Sequence, residues 1–197
     1  MITNKKEFKE YMTADINAAY IPKGRISRFL HTLHGNEQCH AYRYVRCLRL
    51  TELYLNTHHI LFYHLYRWKL SLLGIKYGIR ININVTGKGL NIIHLAGGGG
   101  CIVNVLSMGD HCRLQSGVVI GSVGDAEHRP IIGNHVSFGL GCKVYGKITI
   151  GDNVKVLPNA VVTKDVPANS IVGGVPAKII RMLSEKEIEE IVNNVYN

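Results

Sequence analysis

The sequence predicts a mainly β protein with α: a parallel β-helix built as a triangular prism of short strands, preceded by a helical region and followed by a short helix. Three observations predict it. Apolar residues recur every six positions in the carboxy-terminal half, the stretch from Glu37 to about Leu73 is poor in Gly and Pro with apolar residues near helical spacing, and charge divides unevenly between the two parts.

The repeat begins at Ile102 and continues through Met108, Leu114, Ile120, Ile132, Phe138, Val144, Ile150, Val156 and Val162, with Ala126 in one weak slot. Four places on, the residue is small or medium apolar at Leu106, Cys112, Val118, Val136, Cys142, Val154, Ala160 and Val166. Neither period 2 nor period 3.6 reproduces this. Three strands of six residues would make one coil, and coils would stack about 4.8 Å apart around a core of side chains. Gly follows the apolar position at 109, 121, 133, 139 and 151, which predicts tight corners where a side chain clashes and positive φ is needed. Extended back through Ile81 to Leu95, the prism holds about five coils, and its exposed edges and faces predict association of several copies.

In the amino-terminal region, Tyr42, Val45, Leu48, Leu53 and Leu55, then Leu61, Leu65 and Trp68, predict three or four helices. Breaks are expected at Pro22 and at Gly35 and Asn36, and the last helix is expected to end at Gly74 and Gly78. At the other end Ser184 and Glu187 form a capping box, with Ile188, Ile191 and Val192 on one apolar side. The organisation is therefore a helical region over 1–78, the prism over 79–181 and a terminal helix over 182–197.

Composition excludes a disordered chain: 46% of the 197 residues are hydrophobic and 19% charged. The five Cys, at 39, 47, 101, 112 and 142, are unevenly spaced and read as free thiols of a reducing compartment. The first residues lack an apolar signal core, and the most apolar stretch, Ile60 to Ile75, is interrupted by His64, Arg67 and Lys69, so a cytoplasmic protein is expected. Residues 1–90 carry 14 basic and 5 acidic side chains against 9 of each beyond, so the whole net charge of +9 lies in the first part. Such a surface fits nucleic acid, phosphorylated ligands or anionic lipid. No Lys/Arg block or nucleic-acid motif accompanies it, which leaves solvated helix faces as the expectation, no nucleic-acid partner, and peripheral membrane contact as the remaining role. His58, His59 and His64 are poorly spaced on a helix, with no carboxylate or Cys to complete a ligand set, so no metal is expected.

The segments Ile150-Gly151-Asp152-Asn153-Val154, Val161 to Pro167 and Gly174-Val175-Pro176-Ala177-Lys178-Ile179-Ile180-Arg181 resemble the hexapeptide-repeat acyltransferases. The resemblance covers roughly 79–181. It extends more weakly, through Asp15 and Tyr42-Arg43, to serine acetyltransferase-like enzymes of surface-polysaccharide synthesis. It implies a left-handed parallel β-helix, a hand that periodicity alone does not give because crossovers elsewhere are right-handed.

The resemblance further implies transfer of an acyl group, usually acetyl, from coenzyme A to a hydroxyl or amine. That chemistry needs a general base near the acceptor and donors near the thioester oxygen. His94, in Leu90-Asn91-Ile92-Ile93-His94-Leu95-Ala96 followed by four glycines, resembles the segment holding the catalytic His of serine acetyltransferases, and the glycines offer N–H groups to an oxyanion. An imidazole with an ordinary pKa of about 6.5 can take a hydroxyl proton and return it to a thiolate. Two features depart from the serine enzymes. Ile93 stands where they place an Asp, and no Asp lies between Ile79 and Asn91. The Arg-His-Pro motif is reversed as His128-Arg129-Pro130. His128 is a second candidate catalytic residue, and Asp125, Glu127 and Arg129 in the same loop are candidates for binding the acceptor.

By resemblance, coenzyme A lies outside the prism between subunits, along Gly139, Leu140 and Pro158 and then Thr163 and Lys164, with Lys178 and Arg181 for its phosphates. Three-His lyases of similar fold need a second His five places after the first, where Gly99, Gly133 and Leu140 follow 94, 128 and 135. The expected function is an acetyl-CoA-dependent O-acetyltransferase, homotrimeric with pairing of trimers into hexamers left open, acting by direct attack on a sugar hydroxyl of a surface polysaccharide or its precursor. The alternatives are a serine O-acetyltransferase of cysteine synthesis and, from another class, an inactive trimeric scaffold or partner-binding module.

Overall fold

Four helices come first, α1 (Lys5–Ala18), α2 (Arg25–Leu33), α3 (Glu37–Asn56) and α4 (Ile60–Tyr77), in a computed structural model that describes residues 1–95, 98–122, 124 and 126–193. Local chemistry sets their ends. The Asn4 side chain accepts from the N–H groups of Lys6 and Glu7 to cap α1, Asn36 accepts from Cys39 N to cap α3, and Gly78 ends α4 at φ 68°. Two breaks differ from the sequence reading. Gly74 lies inside α4 rather than ending it; a Cβ there would come 2.7 Å from Ile79 O, so this glycine lets the first strand pass. The long apolar run also breaks at 57–59 without Gly or Pro, His58 taking φ 58°.

The strands β1 (Ile79–Ile81), β2 (Asn91–Ile93), β3 (Cys101–Val103), β4 (Ser107–Met108), β5 (Arg113–Gln115), β6 (Val118–Gly121) and β7 (Ile131–Ile132) begin the prism. It continues with β8 (Ser137–Phe138), β9 (Lys143–Tyr145), β10 (Thr149–Ile150), β11 (Lys155–Val156), β12 (Val161–Val162) and β13 (Ser170–Gly173). They stack in parallel on three faces: β1-β3-β6-β9-β12; β4-β7-β10, extended by bridges at Thr86 and Val166; and β2-β5-β8-β11-β13. A last strand, β14 (Lys178–Met182), folds back antiparallel on β13, and α5 (Glu185–Asn193) follows behind its Ser184–Glu187 capping box.

Met108, Leu114, Ile120, Ile132, Phe138, Val144, Ile150, Val156 and Val162 all point into the core, as the period of six requires. The register fails only at its start. Ile102 and Leu106 are exposed, whereas Val103 and Val105 are buried, because the turn from Val103 to Met108 is one residue short of six. The weak slot at Ala126 falls in a loop between β6 and β7 that contains the short turn Ala126–His128. Ile120 pairs with Val144, 24 positions on, where Phe138 pairs with Val156, 18 on. The insertion is thus six residues, which is why the register survives it.

The corner glycines also do something other than expected. Gly109, Gly133, Gly139 and Gly151 do not take positive φ; a Cβ at Gly139 would meet Pro158 N at 2.6 Å, and one at Gly151 would meet Ala168 N at 2.5 Å. They permit close stacking of one coil on the next. Positive φ falls two places later, at His111, His135 and Asn153.

A buried ion cluster docks the helices on the first coil. Arg49, fully buried, donates from Nε to Asp15 Oδ2 (3.0 Å) and from Nη1 to Glu52 Oε2 (3.1 Å) and Thr86 O (3.0 Å), while Asp15 Oδ1 accepts from Leu90 N (2.9 Å) and Glu52 Oε1 from Asn84 N (2.9 Å). One of the basic residues expected on a wet face is therefore inside. Burial pushes the Glu52 carboxyl above the ordinary range, with Arg49 opposing. The apolar spacing has two meanings along the helices: Tyr42, Val45, Leu48 and Leu53 are buried, but Leu61, Leu65 and Trp68 are exposed. No described helix is long and apolar enough to cross a membrane.

Candidate active site on the glycine edge

Each coil leaves the third face and enters the first through an edge made almost entirely of small residues. Down it run His94, Gly98 to Gly100, Ser116-Gly117, Leu140-Gly141, Pro158-Asn159 and Gly174. Backbone bonds tie one level to the next: Gly117 N donates to Gly100 O (2.7 Å), Gly141 N to Ser116 O (2.9 Å) and Asn159 N to Leu140 O (2.8 Å). Positive φ at Gly98, Gly100, Gly117 and Gly141 turns the chain sharply, and the exposed apolar side chains of Leu140 and Leu157 stand beside these turns.

His94 stands at the top of this edge, at φ 62°, with a side chain 57% exposed in the single chain. Its Nδ1 lies 3.7 Å from Oε1 of Glu37, the first residue of α3. Sequence reasoning missed this carboxylate because it comes from a helix start 57 positions upstream. The one signal was Glu37 itself, directly after the Asn36 cap.

Of the coenzyme candidates, Gly139, Leu140 and Pro158 share the edge of His94, whereas Thr163 and Lys164 follow β12 and lie on the edge between the first and second faces. Lys178 is exposed on β14. Arg181 is already paired with Glu187, Nη2 to Oε1 at 2.7 Å and Nη1 to Oε2 at 2.8 Å, and holds that carboxyl well below the usual carboxylate range. The N–H groups of Gly98 and Gly99, expected to be free for an oxyanion, are engaged by Leu95 O and Ser116 Oγ.

Glu127, His128 and Arg129 leave the prism in the loop between β6 and β7, on a different edge from His94; Asp125 lies outside the described residues. Within one chain His94 and His128 do not meet. Cys101, Cys112 and Cys142 are buried in the core, where burial pushes each thiol up to about 12, so none supplies a thiolate at neutral pH.

No family model matches the chain. Serine acetyltransferases do: that of Synechococcus elongatus is 38% identical over 96 residues (48% of this chain, 38% of the relative), and that of Helicobacter pylori 26695 is 41% identical over 96 residues (48% and 55%). A solved serine acetyltransferase in complex with cysteine superposes with a TM-score of 0.71 over 98% of this chain and 73% of that one, at 19% identity. The Brucella abortus S19 enzyme in complex with coenzyme A gives 0.68 over 91% and 70%, at 25% identity. The chain is homologous to the serine acetyltransferases and shares their hexapeptide-repeat β-helix.

These relatives overturn the sugar acceptor. The relatives and solved neighbours above are named for serine and not for a polysaccharide, and the structure brings a carboxylate, that of Glu37, to 3.7 Å from the ring of His94 although Ile93 precedes it in the chain. The chain spans only about 38% and 55% of the lengths of the two curated relatives above.

Proposed function

We propose that the chain is an acetyl-CoA-dependent serine O-acetyltransferase, with His94 as general base. The observation that carries this reading is the His94–Glu37 pair at the head of a glycine-lined edge, in a chain whose relatives are named serine acetyltransferases. The side-chain-free, partly exposed corners at Gly117 and Gly141, with Leu140 and Leu157 alongside, suit an extended pantetheine arm lying along the edge, and Lys178 suits a phosphate at its far end. Neighbours solved with coenzyme A support the donor.

His94 Nε2 takes the proton of the serine hydroxyl as its oxygen attacks the thioester carbonyl; Glu37 faces Nδ1 and favours the imidazolium that forms. When the carbon–sulfur bond breaks, the same Nε2 returns the proton to the departing thiolate. No acyl-enzyme forms, in keeping with core thiols that stay protonated. Because His94 and the loop of Glu127, His128 and Arg129 occupy different edges, a site that uses both takes them from two copies. A homotrimer of prisms is the assembly we infer.

Release of coenzyme A from acetyl-CoA, followed as free thiol with and without L-serine, tests the reading. Serine-dependent release is expected. Coenzyme binding without release on serine would remove the acceptor, and absence of both would leave the prism a scaffold.

A further inference from the structure

A second concavity lies at the opposite end of the third face. It is a cavity of about 410 Å3 between the start of β5, β8 and β11, the turn after α1, and α5. His111 and His135 occupy the same corner position on successive coils, at φ 56° each, and their rings stack at 5.3 Å with 12° between planes. Both are half-buried, and neither ring makes a hydrogen bond among the described residues. Arg113 and Lys155 project from the strands just beyond them, and Lys23 closes one side; none of the three takes part in an ion pair among the described residues. Asn91, only 4% exposed, lines the floor with its side-chain oxygen unpartnered. Ile16, Ile21 and Ile191 make an apolar wall.

Among the described residues the lining holds three fixed cations, two imidazoles and no carboxylate. The charges that face the imidazoles from neighbouring elements are Asp110, Asp152, Asp15 and Lys88, with Lys6, Lys9 and Glu10 of α1 on the far side of His111. The three aspartates are committed elsewhere: Asp110 accepts from Lys88 N, Asp152 from Asn134 N, and Asp15 from Arg49 and Leu90 N. Burial lowers the proton affinity of both rings, and the pair of parallel imidazoles disfavours double protonation further at His111. A dianion between them would reverse that balance. A monoanionic carboxylate leaves most of the fixed positive charge unmatched, whereas a phosphate accepts several charge-assisted bonds at once.

We propose that this cavity binds a small phosphate monoester, its phosphate held by His111, His135, Arg113 and Lys155 and its organic body against Ile16, Ile21 and Ile191. The site lies on the edge away from His94, so it is separate from the coenzyme groove and stands whether or not the acetyl-transfer reading holds.

The test is a titration of the full chain with phenyl phosphate, followed by NMR at the histidine Cε1–Hε1 groups, with saturating coenzyme A present throughout. The resonances of His111 and His135 should shift together, and binding should tighten several-fold from pH 7.5 to pH 6.0 as the rings accept protons. In the double variant His111→Asn/His135→Asn binding should weaken by about 10-fold or more and lose that pH dependence. This variant keeps the corners, because Asn153 and Asn169 hold the same left-handed conformation, φ 57° and 59°, in the next coils. Unmoved His111 and His135 resonances, or equal binding by the double variant, would overturn the site. Benzoate binding as tightly as phenyl phosphate would overturn its assignment to phosphate, and inorganic phosphate binding equally well would remove the role of the apolar wall.

Discussion

The prism and the helices that precede it use apolar residues in opposite ways. In the prism every sixth side chain enters a shared core, and Leu114, Ile120, Phe138, Val144 and Ile150 are completely buried in a single chain. In the helices most of the buried side chains belong to α3, while α4 turns Leu61, Leu65 and Trp68 outward and α2 does the same with Phe29 and Leu33. A β-helix coil satisfies its neighbours within one chain, so its pattern is complete in one copy. A helical layer needs a partner surface on each apolar face, and here one face of the layer has none among the described residues. The proposed chemistry draws on both regions: its base, His94, sits on the self-sufficient prism, and the carboxylate beside it, Glu37, begins helix α3.

The contrast can be broken by mutation, starting where it predicts most. Phe138→Ala opens a hole among stacked coils and should cost about 3–5 kcal/mol, read as a lower urea midpoint of unfolding. Arg49→Met, which leaves Asp15 and Glu52 buried without their cation, should cost a similar or slightly smaller amount, about 3–5 kcal/mol at most, by the same measurement. If either variant unfolds at the wild-type midpoint, the prism and its docked α3 do not carry the stability assigned to them. At intermediate size, Glu37→Gln should lower kcat for serine by about 10-fold with little change in KM for acetyl-CoA, as expected for a group that acts through His94. The smallest effects belong to the exposed helix face. Leu65→Ser with Trp68→Ser should change the urea midpoint by less than about 0.5 kcal/mol equivalent, yet reduce the assembled mass seen by light scattering. An unchanged mass would mean that α4 faces water in the assembly too.

How much of this was legible in the sequence follows from the physics of each part. A period of six is written directly into the chain, so nearly all inward positions from Met108 onward could be read off. A six-residue loop insertion left the count intact, while a five-residue turn after Val103 shifted it. Glycine was recognised as a corner residue but for the wrong reason, because coil-to-coil distance is invisible in one dimension, and left-handed φ fell instead on His111, His135 and Asn153. The helix break at His58 lacked any Gly or Pro. His94 could be found from its neighbours in the chain; Glu37 could not, since only the docking of α3 on the first coils brings the two together. The same long-range docking hid Arg49, which sequence reading counted among solvated cations.

The claim on which the account turns is that one imidazole on the glycine edge moves the proton of serine. The most direct measurement is the serine-dependent rate of coenzyme A release by His94→Ala beside the wild type, with coenzyme affinity measured on both. The account predicts a rate lower by about 10²–10⁴-fold with coenzyme affinity nearly unchanged. Release at close to the wild-type rate would contradict it.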